Sequence, residues 1–458
     1  MFDHSNIAVL DLTHAGIIIA EKFSGLGFNV TAVDVYRTVD EDVLSRLCSE
    51  NDIRTSKEAI GVDDFDLIVS PAHLGPEYPM LADAREKGIE IITHHMAVGH
   101  ILAMTDSLRG AKVIEITGSK AKTSSASLLA GMLSMKERVV LHTSRGLELW
   151  ENGSSRVLHL GFSIAPGSVL LGIDKLEELG VVAACYIFEI SIGLTGFADV
   201  GVITTLEPDY LIAASTSNAS DSKMSVLSYG KPKEVFFLNA RDEKALDKAD
   251  GNNRDYLTFS DSGEISADLQ AYFEDNMVVF KDKDGLFSSV LSPNYNYGSY
   301  ATAFAVSASV ALRMGVSKDD VSAVVSSFEG LQGRMQEKQL SGRVLIDNSN
   351  SGMDIRSVEK ALDYALSKSA DNVNSGRMFM VIGEEAAQVC EGLPPEDVSG
   401  FIGRRGTDLE MIILVGERMQ GISEENVIYA SGLEEGLEMA FKLSSEDDTI
   451  LSCVKCFR

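Results

Sequence analysis

Lys122, Thr123 and Ser124 stand at the head of an apolar helical pattern, just after Gly118, in the stretch VIEITGSKAKTSSASLLAGML, residues 113–133. A strand that delivers the chain into a tight turn and a helix start makes an anion site, because backbone N–H groups and the helix dipole face the turn together. Gly118, Ser119, Lys120 and Ala121 form that turn. Lys122 is placed to reach outer phosphates, and Thr123 can offer a hydroxyl to Mg2+, which prefers hard oxygen ligands. The strict spacing G-x-x-x-x-G-K-S/T is not met, since Ile116 and Ala121 occupy the glycine positions. Ala121 is the main departure, because a Cβ costs energy if the turn needs positive φ there.

A second set of chemically able residues lies upstream. All eight histidines fall in the first 159 residues, and His14, His73, His94, His95 and His100 sit at expected strand ends or just beyond. Open α/β sheets bind ligands there. Such donors suit a substrate rich in carboxylates, and His14, His73 and His95 are the expected contacts. A metal site is the alternative, although no H-x-x-x-H spacing marks one. The turn DLTHAG has Gly16 but no G-x-G-x-x-G, which argues against a dinucleotide.

Both sets need elements to position them. Short apolar runs NIAVLDL, NVTAVDVY, FDLIVSP and IEIIT alternate with helical patterns from Ala15 to Leu26, Asp40 to Ser49 and Pro79 to Lys87. That alternation implies a parallel sheet wrapped by helices. AKVIEIT, RVVLHTS, VAACYIFEIS, VGVITTL and EVFFLNA form a second α/β unit with the late helix YATAFAVSASVALRMG. After a polar, glycine-containing stretch near FEGLQGRMQEKQLSG, the runs RVLID, RMFMVIG, LEMIILVG, NVIYAS and DTILSC form a third. The expected domains are residues 1–107, Rossmann-like; 108–335, a central unit that carries the candidate phosphate loop; and 336–458, a C-terminal Rossmann-like domain.

At 458 residues the chain is long enough for about three domains. Forty basic against 68 acidic residues give a net charge of −28, which argues against nucleic acid or an anionic membrane as a partner. Cysteines at 48, 185, 390, 453 and 456 are too scattered for a disulfide framework, and a reducing cytoplasm fits best. Cys453 and Cys456 form a lone C-x-x-C, read as ordinary buried or edge thiols. No basic, apolar leader opens the chain and no apolar run reaches membrane length.

Taken with its downstream motifs, the chain resembles the Mur ligases, three-domain enzymes that use ATP to activate a carboxylate as an acyl phosphate. GSKAKTS resembles their phosphate loop, with Ser119 for Thr and Ala121 for Gly. FEIS is similar to the segment that supplies a magnesium ligand, which implies Glu189 beside Thr123. TTLEPDYL keeps Asp209 but has Tyr210 in a histidine position; SDSKMSV resembles the motif whose lysine is carbamylated in many members, which implies Lys223. VFFLNARDE supplies Asn239 and Asp242, NYNYGSYATA keeps Asn296 near the adenine, LQGR gives Arg334 as an ATP contact, and LIDNSNSG keeps Asp347. DTILSCVKCFR resembles the substrate loop at the chain's end, which implies Ser452 and Lys455, with Arg458 beyond.

The resemblance implies an α/β, three-domain architecture with a central phosphate-loop ATPase domain, ATP and Mg2+ as cofactors, and Lys122, Glu189 and Lys223 in catalysis. Because DLTHAG replaces the family's usual uridine-nucleotide turn, a UDP-sugar is not the expected substrate. The narrower likeness, in DLTHAG, GSKAKTSS, HTSRG and SCVKCFR, is to a branch from methanogens that closes a carbocyclic ring on a nickel-containing tetrapyrrole acid. An amide-forming ligase and a nucleotide-binding protein without catalysis stay open as alternatives.

Overall fold

The structure is a computed structural model, and it describes residues 4–370, 376–385 and 392–456. Cys390 and Arg458 lie outside the described residues. The chain divides into two compact units, one comprising Met1–Glu274, Val278–Ser288 and Thr302–Val324, the other Asp275–Met277, Ser289–Ala301 and Val325–Arg458.

The first unit opens with five parallel strands, β1 (Asn6–Leu10), β2 (Asn29–Val33), β3 (Arg54–Ser56), β4 (Leu67–Ser70) and β5 (Glu90–Thr93), in the order 3-2-1-4-5. Helices α1 (Ile17–Gly25), α2 (Glu41–Asn51), α3 (Pro79–Lys87) and α4 (His94–Met104) accompany them. Ile7, Ala8, Val9 and Leu10 are all buried, as expected of a parallel strand covered on both faces. The strand order reverses between β1 and β4, so their carboxyl ends bound a crevice. The segments carrying His14 and His73 follow those two ends. The helix expected from Ala15 starts at Ile17, because Leu12–Gly16 forms a π-helical turn closed by Gly16 N–H donating to the Asp11 carbonyl at 3.1 Å.

An eleven-stranded sheet follows in the same unit, with β6 (Lys112–Thr117) near its centre between the parallel strands Val200–Ile203 and Cys185–Glu189. β6 runs through the turn 118–121 into α5 (Lys122–Leu133), in which every residue from Thr123 on is buried. The antiparallel strands Gly146–Glu151 and Ser154–His159, the strands between Leu269 and Val290, and the helix Gly167–Glu178 add to the elements expected from sequence.

In the second unit six strands lie in the order Gln336–Leu340, Arg343–Asp347, Thr449–Lys455, Met378–Glu384, Met411–Val415, Val427–Ala430. Apolar layers cover both faces, and Cys453 belongs to one layer while Cys456 belongs to the other. Burial pushes the Cys453 thiol well above its usual range, so this C-x-x-C contributes packing. Among the described residues, no helix is long and apolar enough to cross a membrane.

Candidate active site

The turn after β6 is built for close backbone approach. Gly118 has φ +145°, and a Cβ there would lie 2.0 Å from Thr204 Oγ1. Thr204 Oγ1 donates to the Lys120 carbonyl at 2.6 Å, Ser119 N–H donates to the Thr205 carbonyl at 2.8 Å, and Lys120 N–H donates to Thr205 Oγ1 at 3.2 Å. The threonines after strand Val200–Ile203 therefore hold the turn in shape. Ala121 adopts φ +66° and ψ −3°, the left-handed region that favours glycine. The position thus keeps the conformation the strict motif encodes while lacking its residue. Left-handed backbone costs an L-residue roughly 1–2 kcal/mol, and glycine gives back about 0.5–1 in unfolded-state entropy. Ala121→Gly is accordingly expected to raise stability by about 0.5–1 kcal/mol. Denaturant midpoints check it; a lower midpoint would show that the Ala121 methyl is needed for packing.

Thr123 Oγ1, in the first turn of α5, donates to the Glu189 carboxylate, with Oε1 at 2.9 Å and Oε2 at 2.8 Å. Glu189 ends the neighbouring strand Cys185–Glu189 and also accepts from Ser144 N–H at 3.2 Å. Adjacent oxygens on an octahedral Mg2+ with ligand lengths near 2.0–2.1 Å lie about 2.9 Å apart. A hydroxyl and a carboxylate oxygen at that separation form a donor set that fits the ion. Lys122 Nζ donates to the Gly118 carbonyl at 2.9 Å, so the ammonium folds back over the turn.

Lys223 closes the other side. It lies in the short helix Ala219–Met224, is buried, and donates to Ser119 Oγ at 3.1 Å, with its Nζ 4.9 Å from the centre of the Tyr210 ring. Burial, and secondarily the charge of Lys122, pull its pKa down to about 8. Asp209 accepts from Ser220 N–H at 3.0 Å and from the Ser220 hydroxyl, and anchors this helix. Asp242 accepts from Leu206 N–H at 3.1 Å, and the Leu206 carbonyl accepts from Ser119 Oγ at 2.9 Å. Asn239 Nδ2 donates to the Thr204 carbonyl at 3.3 Å. Asn239 and Asp242 thus support the threonine segment that shapes the turn.

The same unit brings His14 and His73 together on one carboxylate. Asp11, buried at the end of β1, accepts from His14 Nδ1 at 2.8 Å and lies 3.4 Å from His73 Nε2. Burial alone would raise its pKa, but the hydrogen bond from His14 and the close approach of His73 hold the carboxyl well below the usual range. His95 lies apart: it is buried in the first turn of α4 and donates Nε2–H to the Ser191 carbonyl at 2.8 Å. His94 likewise donates to the Leu10 carbonyl at 2.8 Å, and burial lowers both imidazoles to about 4, which keeps them neutral.

The chain is 49% identical over 466 residues to coenzyme F(430) synthetase of Methanosarcina acetivorans, covering 99% of this chain and 98% of that protein. The chain belongs to the coenzyme F(430) synthetase family. It is thus an enzyme of the ATP-dependent ligase class. The namesake from Methanocaldococcus jannaschii is 26% identical, over 93% of each chain. Residues 337–456 match the family model described as coenzyme F430 synthetase CfbE, C-terminal domain. In fold, the chain is similar to MurF ligase from Thermotoga maritima in complex with ADP, at 15% identity and TM-score 0.55, covering 84% of this chain and 90% of that one. The expected α/β Mur ligase-like architecture is therefore the observed one.

In this family member the second unit carries the remaining residues singled out from sequence. Asn296 Oδ1 accepts from Gly298 N–H at 3.1 Å and caps the turn Tyr297–Tyr300. The Tyr300 hydroxyl donates to the Arg334 carbonyl at 2.7 Å, and Asn350 Nδ2 donates to the Gly333 carbonyl at 2.8 Å. Asp347 is buried and accepts from Ser349 N–H at 3.2 Å. Asn296, Arg334 and the segment after Asp347 are thereby tied to one another. Ser452 is fully buried, its hydroxyl 2.6 Å from Ser349 Oγ, whereas Lys455 is half-buried at the end of its strand.

Asp11 is the residue that sequence reasoning missed. The D-x-x-H spacing within DLTHAG was the available signal, because residues three apart in a helical turn share a face. Thr204 and Thr205 were missed as well, since their role is to shape a loop more than eighty residues away.

Proposed function

We propose that this enzyme activates a carboxylate side chain of a nickel-containing seco-tetrapyrrole acid as an acyl phosphate, then closes the final carbocyclic ring to give coenzyme F(430), releasing ADP and phosphate. The observation that carries this reading is the juxtaposition of Lys122, Thr123 and Glu189 around the turn after β6, in a chain of the F(430) synthetase family. Mg2+, held by Thr123 and Glu189, would offset the charge that builds on the transferring phosphoryl group. Residues 1–107 hold the substrate, 108–335 bind ATP, and 336–458 complete the enzyme. Asn239, Asn296, Arg334 and Asp347 serve the nucleotide side. His14 and His73 face the organic substrate, while His95 and Ser452, both committed to internal hydrogen bonds, act by positioning their segments.

A propionate oxygen attacks the γ-phosphorus of ATP, and ADP leaves. A carbon of the same molecule gives up its C–H proton to solvent and attacks the acyl carbon, forming the C–C bond as phosphate departs with one former carboxylate oxygen. The protein's part is to align the reacting atoms, keep Lys122 against the phosphoryl oxygens, and exclude water that would hydrolyse the mixed anhydride.

Turnover with an 18O-labelled carboxylate and no added amine tests the reading. Labelled phosphate and a ketone product lighter by one water are expected. Labelled phosphate that appears only with an added amine, together with a heavier product, would replace the reading with amide ligation; unlabelled phosphate would overturn carboxylate activation.

A further inference from the structure

We propose that Asp11, His14 and His73 form a binding site for a divalent first-row transition ion such as Zn2+, Co2+ or Ni2+, distinct from the oxygen donors at the phosphate loop. The inference concerns a free ion and does not depend on which organic acid the enzyme cyclises. One carboxylate oxygen and one nitrogen from each imidazole all lie within 4.8 Å of one another. His14 Nδ1 is 2.8 Å, and His73 Nε2 3.4 Å, from the same oxygen, Asp11 Oδ2. With bond lengths near 2.0–2.1 Å, the donors of a tetrahedral ion lie about 3.3 Å apart. The observed separations straddle that value, so small side-chain rotations would complete the set.

The surroundings favour ligation over a simple ion pair. Asp11 Oδ1 is already taken by Thr13 N–H at 3.0 Å, which fixes the carboxylate and turns Oδ2 toward the two rings. Asp11 itself sits at φ +66°, ψ +91° at the end of β1, and the π-helical turn returns His14 beside it. The turn is confined to glycine at its last position, because a Cβ on Gly16 would stand 2.2 Å from the Asp11 carbonyl oxygen. His73 Nε2 is buried at the atomic level and makes no hydrogen bond of acceptable geometry, despite its closeness to Asp11. The His73 ring lies nearly parallel to Tyr36, interplanar angle 12°, and nearly perpendicular to His14 with centroids 4.9 Å apart, which limits rotation of both rings.

Two imidazoles and one carboxylate are the donor set of borderline ions; Mg2+ and Ca2+ prefer all-oxygen shells. Two neutral imidazoles and one carboxylate leave a bound divalent ion with a net +1 charge. Three protein donors leave at least one position open. Both histidine side chains keep about a third of their surface, 32% and 29%, so the open position can reach solvent. An electrophilic ion there would grip a carboxylate of an acidic substrate, which gives the histidine-rich first domain a chemical reason for its donors.

The full chain, stripped with chelator and dialysed, is to be titrated with Co2+ in the presence of millimolar Mg2+, following visible absorption, and with Zn2+ by calorimetry. One equivalent is expected to bind despite the Mg2+. His73→Gln and His14→Gln are each expected to weaken it at least tenfold, with circular dichroism and melting unchanged. His100→Gln, half-buried outside the cluster, serves as the control and should bind as wild type. Should an Asp11→Asn variant fail to fold, the two half-exposed histidines still decide the matter. Absence of a stoichiometric site in the wild type, or equal affinity in the His14 and His73 variants, overturns the proposal.

Discussion

Lys122→Ala is expected to lower ATP-dependent turnover by about 10²–10³-fold or more while leaving the fold intact. Lys122 begins α5 and its ammonium arches over the turn to donate to the Gly118 carbonyl at 2.9 Å, an exchangeable bond worth about 1 kcal/mol net. In the proposed reaction that ammonium would face phosphoryl oxygens whose charge is redistributed at the transition state, and phosphoryl transfer depends almost wholly on such placement. The stability loss should therefore be small and the rate loss large. Glu189→Gln should behave similarly, because it removes the anionic oxygen beside Thr123 but keeps the shape of the strand end. ADP release and thermal melting measured on the same preparations decide it. Near-normal turnover in the Lys122 variant would overturn the phosphate-loop assignment; lost turnover accompanied by a collapsed melting transition would show that the residue holds the fold instead.

The loop was legible because its parts are contiguous: strand, small-residue turn and helix start lie within twenty-one residues, and each has a local signature. Even its irregularity was informative, since the left-handed φ of Ala121 is what the glycine position of the strict motif would supply. The first sheet was legible for a similar reason, its buried strands reading as short continuous apolar runs between helical patterns. The helix Pro79–Lys87 has the bounds its sequence suggested, with proline in the first turn and Gly88 in the left-handed conformation just after it.

What could not be read has physical causes. Helix α4 buries His94, His95, Ala97, Val98, Gly99, Ile101 and Leu102, so no polar face imposes a 3.6-residue period on HHMAVGHILAM. The strand Ser154–His159 lies at a sheet edge with its first four residues exposed, and its pairing partner rather than its own pattern makes it a strand. The site was harder still where it depends on distant partners. His14 and His73 are fifty-nine positions apart, and only the order 3-2-1-4-5 brings the ends of β1 and β4 side by side. His95, by contrast, sits beyond a strand end as expected, yet its side chain turns inward to the Ser191 carbonyl. Sequence position located the strand end; the direction of the side chain required the packed structure.

Lys223→Met is expected to separate stability from catalysis in opposite directions: a higher melting midpoint together with a turnover loss of at least about 10²-fold. A buried ammonium is disfavoured by lost hydration, and the Lys223 ammonium donates to a neutral hydroxyl, Ser119 Oγ at 3.1 Å. Methionine fills similar space without that cost. The native pKa, drawn down to about 8 from the usual lysine value of 10.5, means that the folded state binds fewer protons than the unfolded state between those values. Wild-type stability should consequently rise with pH through that window, and the gap between the two melting midpoints should narrow from pH 7 to pH 10. The same shift leaves about a tenth of the lysine as free amine at pH 7, the form that attacks CO2 to give a carbamate. Carbamylation would turn a cation crowded by Lys122 into an anion beside it, suited to share in orienting the metal ion at the phosphates. Turnover of CO2-depleted enzyme should therefore recover on adding bicarbonate, and the methionine variant should not respond. If depleted wild type is fully active, Lys223 works as an amine; if the methionine variant retains normal turnover, the residue has no part in the reaction.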